Sequence, residues 1–79
     1  MNRLDLHGKD LAESILLVDR FLAESLHKGL KQVMIIHGIG EGTLKKGIRE
    51  FLSNSSLVLS YRKGDYGEGE DGVTVAQLK

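Results

Sequence analysis

Val33-Met34-Ile35-Ile36-His37-Gly38-Ile39-Gly40-Glu41-Gly42 is the stretch whose reading decides the fold. An apolar run with no polar alternation marks a strand buried on both faces, at the centre of a sheet. The run stops at a histidine followed by three alternating glycines, a chain that turns tightly and brings backbone N–H groups close to a ligand. Helical periodicity then runs from about Thr43 to Leu52. Leu44, Ile48, Phe51 and Leu52 face inward, and Lys45, Lys46, Arg49 and Glu50 face outward. The stretch reads as strand, glycine turn, helix.

Working outward, Leu4-Asp5-Leu6-His7-Gly8 repeats the pattern near the amino end. Over residues 3–7, Leu4 and Leu6 take one strand face and Asp5 and His7 the other. Asp10 with Glu13 is a capping box that opens a helix. Leu11, Ile15, Val18, Leu22 and Leu26 give that helix its apolar stripe, widened by Leu17 and Phe21. His27 and Lys28 suit its negative end, and Gly29 ends it. Ser53-Asn54-Ser55-Ser56 reads as a turn, Leu57 to Arg62 as a third strand, Gly64 to Gly72 as a loop, and Val73 to Leu78 as a fourth strand. The order is β-α-β-α-β-β. Right-handed crossovers put both helices on one face of one sheet, an α/β two-layer sandwich. Neighbouring parallel strands share the edge where their carboxyl ends emerge, so the two His-Gly turns are expected to open along one rim.

With 79 residues, the chain has room for one core and is read as a single domain over residues 1–79. A hydrophobic fraction of 41% and a charged fraction of 28% belong to a globular domain and not to a disordered one. No apolar run approaches the roughly 20 residues needed to cross a bilayer, so no membrane partner is expected. The first residues lack the apolar core of a secretory signal. Absence of cysteine fits a cytoplasmic setting. Because a strand begins almost at Met1, the sequence is expected to be a piece cut from a longer protein. The net charge is zero, but its distribution is uneven. Residues 44–63 hold Lys45, Lys46, Arg49, Arg62 and Lys63 against Glu50 alone, a local charge of +4. Residues 64–72 hold Asp65, Glu68, Glu70 and Asp71 with no base, a local charge of −4. A basic helix beside an acidic loop suits a phosphate on one side and repels it on the other, though a solvated mixed-charge surface gives the same pattern.

The glycine turn matches neither common nucleotide motif. A phosphate-binding Walker loop needs lysine and a hydroxyl after its last glycine, where this chain has Thr43-Leu44. The dinucleotide fingerprint spaces its glycines G-x-G-x-x-G, whereas Gly38, Gly40 and Gly42 follow G-x-G-x-G. Two readings remain: a turn whose free N–H groups and following helix accept an anion, or a turn that binds nothing.

The motifs Leu4-Asp5-Leu6-His7-Gly8, His37-Gly38-Ile39-Gly40, Gly42-Thr43-Leu44 and Gly69-Glu70-Asp71-Gly72-Val73-Thr74-Val75 strongly resemble the Smr (small MutS-related) domain, in order and over nearly the whole chain. The last seven residues, Val73 to Lys79, look like the end of a larger MutS-like protein that carries this domain last. The resemblance implies a four-stranded mixed sheet like that of the C-terminal domain of translation initiation factor three, with the last strand antiparallel to the rest. It implies binding of DNA or RNA, endonuclease or nicking activity in many members, and work in DNA repair, recombination control or ribosome rescue. Its partners would be nucleic acid, the ribosome and upstream MutS-like ATPase domains. Its signature motifs fall on Asp5 and His7, and on His37, Gly38 and Gly40. The family's closing loop carries consecutive glycines, which Glu70 and Asp71 interrupt here.

Phosphodiester hydrolysis needs an activated water, charge stabilisation at phosphate, and a proton for the leaving oxygen. Histidine supplies the proton transfers near neutral pH. The expected assignment is His37 as base or phosphate ligand, His7 as its acid or base counterpart, and Asp5 as orienter or metal ligand. Gly38, Gly40 and Gly42, with Lys45, Lys46, Arg49, Arg62 and Lys63, are the expected phosphate-binding residues. Asp5, His7 and His37 carry donors suited to magnesium or manganese, but no histidine spacing or cysteine set demands a metal. The competing reading of His7 is a strand-end residue bonded to backbone. His27 reads as a surface residue, and Tyr61 and Tyr66 as base-stacking residues, with core packing the competing reading of Tyr61.

Overall fold

Alternation and periodicity resolve into one sheet and two helices in this computed structural model, which describes residues 2–40 and 42–79; Met1 and Glu41 lie outside the described residues. The elements are β1 (Asn2–Asp5), α1 (Leu11–His27), β2 (Gln32–Ile36), α2 (Thr43–Asn54), β3 (Val58–Lys63) and β4 (Val73–Leu78), with a short 3-10 turn at Glu70–Gly72 ahead of β4. The order is the expected β-α-β-α-β-β. Boundaries differ by a residue or two: β1 ends at Asp5 and not His7, β3 runs Val58–Lys63, and α2 continues to Asn54. The Ser53 hydroxyl donates to the Arg49 carbonyl (2.8 Å) and the Asn54 amide to the Glu50 carbonyl (3.0 Å), so these side chains fold back one turn along the helix and residues that read as a turn instead extend α2.

The sheet runs β1-β2-β4-β3. β1 and β2 are parallel, and β4 is antiparallel to both of its neighbours, so it opposes the other three strands. β2 and β4 are the interior strands, as the unbroken apolar character of residues 33–36 demands. α1 starts where the Asp10 carboxylate accepts the Glu13 N–H at 2.8 Å. It ends in a Schellman turn: Gly29, at φ 81°, donates to Leu26, and Leu30 donates to Ser25.

The two sheet faces are covered differently. Leu6, Val33, Ile35, Ala76 and Leu78 pack against Val18 and Leu22 of α1 and Ile48 and Leu52 of α2, so both helices lie on one face. Each fully buried aliphatic side chain there contributes about 1.5–3 kcal/mol by leaving water. Met34, Val73 and Val75, with Ile36, form a second cluster on the other face. Alternation along β2 thus sends Val33, Ile35 and the next inward position, His37, toward the helices. Among the described residues, no helix is long and apolar enough to cross a membrane.

Candidate functional site

His37 follows β2 directly and points into the helix side of the sheet, where it is only 4% exposed. Its two ring nitrogens have different partners. Nδ1 lies 2.8 Å from the Gly38 carbonyl oxygen, and Nε2 lies 2.8 Å from Thr74 Oγ1 on β4. A carbonyl oxygen can only accept, so the proton sits on Nδ1. In the neutral ring Nε2 then carries the lone pair and receives the Thr74 hydroxyl proton. The same Thr74 oxygen accepts from Arg49 Nε at 2.9 Å. Arg49, Thr74, His37 and Gly38 therefore form one directed chain of donors and acceptors from α2 through β4 to the glycine turn.

This environment favours the neutral imidazole. Burial pushes its pKa below the ordinary 6.5; the Gly38 carbonyl pulls the other way, and the Arg49 and Lys45 charges add to the lowering. Thr74 is wholly buried. Its hydroxyl sits within reach of a base, as a nucleophile would, yet no substrate can reach it.

Beyond His37 the chain enters a pocket lined by the histidine, the glycine turn and Thr43 to Lys45. Gly38 and His37 both donate to the Gly72 carbonyl, at 3.0 and 3.1 Å, which pins the start of the turn to the loop before β4. Gly42 is the N-cap of α2 at φ 82°, a left-handed conformation suited to glycine, and it offers no side-chain cap. Lys46 donates to the Gly42 carbonyl (2.9 Å) as the first intrahelical bond. The N–H groups of the first turn ahead of it have no intrahelical acceptor, and that turn contains no acid. Lys45 lines the pocket, and Lys46, the next residue of α2, is exposed. A helix amino end carries a partial positive charge, to which Lys45 and Lys46 add.

The structure brings together only part of the expected residue set. Gly38, Gly40, Gly42 and Lys45 meet His37 at the pocket. Leu6 N–H donates to the Ile36 carbonyl (2.7 Å), so the turns holding His7 and His37 leave adjacent parallel strands at one rim. His7 is exposed there, whereas His37 is buried. Asp5 pairs in register with Ile36, on the face away from the helices, and so lies across the sheet from the His37 ring. Its carboxylate accepts the backbone N–H of His7 at 2.9 Å instead of orienting an imidazole. Among the described residues no three His, Cys, Asp or Glu side chains gather as a cation site, so Asp5, His7 and His37 do not converge on one metal position.

The basic residues also divide. Arg49 is committed to Thr74. Lys63 stands in register with Thr74 on the helix side. Arg62 pairs with Val75 on the opposite face, where its guanidinium bonds Glu68 at 2.8 Å and approaches Asp65 at 3.4 Å. The Arg62 hydrogen bond holds the Glu68 carboxyl below its ordinary range. Arg62 thus serves the acidic loop and not the pocket. Glu70 and Asp71, which interrupt the glycines, are exposed in the 3-10 turn. Thr74 is the residue that sequence reasoning passed over. Its signal was there to read: a lone hydroxyl within the buried run Val73-Thr74-Val75-Ala76 needs a partner.

A two-layer α/β domain whose buried histidine is hydrogen-bonded into a glycine turn ahead of a helix is the class these features define. The chain belongs to the Smr domain family, whose profile matches residues 4–79. It is 49% identical over 76 residues to an Endonuclease MutS2 of Caldicellulosiruptor saccharolyticus and 46% identical over 78 residues to one of Alkaliphilus metalliredigens. Those matches cover 96% and 99% of this chain but about 10% of either relative's length. The crystal structure of the Smr domain of Thermus thermophilus MutS2 superposes with a TM-score of 0.97 at 39% identity, covering 100% of this chain and 99% of that one. The stand-alone small MutS-related protein YdaL of Escherichia coli shares the fold, with a TM-score of 0.91 at 24% identity over 98% of this chain and 63% of its own.

Proposed function

We propose that this domain binds DNA or RNA through the phosphate backbone and hydrolyses phosphodiester bonds, as one part of a longer MutS-like ATPase in the cytoplasm. The observation that carries the reading is the amino end of α2: Gly42 supplies no side-chain cap and the first turn holds no acid, and Lys45 lines the adjoining pocket with Gly38, Gly40 and Gly42. The relatives named Endonuclease MutS2 support the nuclease part.

In the proposed mechanism a phosphate oxygen lies against the first-turn N–H groups and Lys45, which stabilise charge developing at phosphorus. Water attacks phosphorus and the bond to the leaving oxygen breaks. His7, exposed on the adjoining turn, takes the proton from the attacking water and passes a proton to the leaving oxygen, and Asp5 fixes its backbone. His37, with both nitrogens engaged, holds the turn as phosphate support and not as base. A second reading, docking on structured nucleic acid or the ribosome without cutting, is favoured by that same engagement of His37.

A nicking assay on supercoiled plasmid and on RNA, with and without chelator, separates the two. His7→Ala is expected to lower cleavage by about 10²-fold or more while binding holds. Unchanged cleavage by a folded His7→Ala, His37→Ala double variant would sink the catalytic assignment. Binding is tested by its salt dependence. Replacing Lys45 or Lys46 with alanine should flatten the slope of log affinity against log salt by roughly 0.7–0.9 for each phosphate that the lysine neutralises. A salt-independent affinity would mean that phosphate is not what the domain holds.

A further inference from the structure

We infer that Thr74 is a positioning residue: its hydroxyl, braced by Arg49, fixes the tautomer of His37 and thereby the shape of the glycine turn. The inference rests on the phosphate-site reading for its consequence in binding, but its geometry stands independently.

Each atom in the chain has one role. Arg49 Nε can only donate, and it donates to Thr74 Oγ1 at 2.9 Å. The Gly38 carbonyl can only accept, and it takes the Nδ1 proton at 2.8 Å. Between them the Thr74 hydroxyl must donate to Nε2, also at 2.8 Å. With the proton on Nε2 instead, Nδ1 and the Gly38 oxygen would face each other as two acceptors, and Thr74 would receive two N–H donors with nowhere evident to send its own proton. A charged ring would meet Arg49 and Lys45 without a carboxylate, since among the described residues the salt bridges involve Arg62 alone. Thr74 and His37 are both buried, so water does not readily substitute for either partner.

The geometric consequence falls on the turn. The Nδ1–H bond holds the Gly38 carbonyl back against the ring while the Gly38 N–H donates to Gly72. Both polar groups of one peptide neighbourhood are thus tied inward, and the chain continues through Gly40 and Gly42 to the open end of α2. Through this side chain β4 is joined to His37 in the pocket wall. Thr74 acts through His37, touching no ligand itself.

The test is nuclear magnetic resonance on the 79-residue chain, using long-range proton–nitrogen correlations of the His37 ring, with amide hydrogen exchange across residues 38–46 as a second readout. The wild type should show a single Nδ1–H tautomer. Thr74→Ser, which keeps the hydroxyl, should retain it. Thr74→Val, nearly the same shape without the donor, should mix the tautomers and speed exchange in the turn; Thr74→Ala serves should valine disturb the sheet. Affinity for a single-stranded oligonucleotide should fall about fivefold in the valine variant and recover with serine. A pure Nδ1–H tautomer in both hydroxyl-free variants would overturn the inference, as would mixed tautomers with unaltered exchange in the turn. If the tautomer and exchange respond while even the wild type binds no oligonucleotide, the positioning role holds and the phosphate reading falls.

Discussion

Two turns of this domain have nearly the same sequence and opposite environments. Leu6-His7-Gly8 and Ile36-His37-Gly38 each follow a parallel strand, and the two strands are neighbours. Their imidazoles nevertheless differ: His7 is exposed, its backbone N–H bonded to Asp5, while His37 is buried with both ring nitrogens engaged. The difference comes from phase. In the first turn the leucine faces the helices and the histidine follows it out of the core; in the second the isoleucine faces away and the histidine turns inward. A shift of one residue in a period of two reverses which side chain is covered. One motif therefore places one imidazole at the surface and the other in the core.

The most direct way to break this comparison is to remove each ring. His37→Ala leaves the Thr74 hydroxyl without an acceptor and a void between β2 and α2. Loss of a buried hydrogen-bonded ring of this kind is expected to cost about 2–4 kcal/mol. His7→Ala removes an exposed ring whose loss should stay within about 0.5 kcal/mol. Urea denaturation of both variants measures the contrast. Equal losses would mean the two environments are energetically alike, whatever their burial.

The sequence carried most of the architecture and only part of the site. Element order, the central place of β2, the Asp10 cap and the Gly29 stop were all legible, because local chemistry and the hydrophobic period agreed. The family's motifs added the antiparallel last strand. The chemistry of His37 was not legible, since it depends on Thr74, 37 residues away, and on Arg49 of a different element. Arg62 misled for a related reason. The excess charge of residues 44–63 places it with the lysines, but the register of β3 against β4 sends it through the sheet to Glu68 and Asp65. Charge counted along the chain does not say which face a strand residue takes.

A smaller effect sharpens the comparison through pH. The folded pKa of His37 lies below the ordinary 6.5, so between the two values the unfolded chain binds more protons than the folded one. Stability contributed by the neutral ring is complete above 6.5 and declines as pH falls from there toward the folded value. Urea midpoints followed from pH 7.5 to pH 5.0 should therefore drop on the acid side, and His37→Gln should flatten that drop. The window avoids Glu68, whose depressed carboxyl pKa places its contribution below the ordinary 4.5. A wild-type midpoint that stays level through this range would contradict a buried neutral imidazole.

The smallest expected effect concerns the first turn alone. Asp5 accepts the His7 N–H at 2.9 Å through Oδ1, a local bond that fixes where the exposed histidine leaves the strand. Asparagine offers the same oxygen without the charge, so Asp5→Asn should change stability little, whereas Asp5→Ala should cost about 0.5–1 kcal/mol. Cleavage tells more than stability. If Asp5 acts only by holding the backbone, the asparagine variant cuts as the wild type does and the alanine variant cuts less. If its negative charge instead tunes the His7 ring or draws a cation to the rim, asparagine and alanine lose activity together. That outcome would move Asp5 from backbone support into the proton-transfer chemistry and make the first turn, not the second, the charged side of the site.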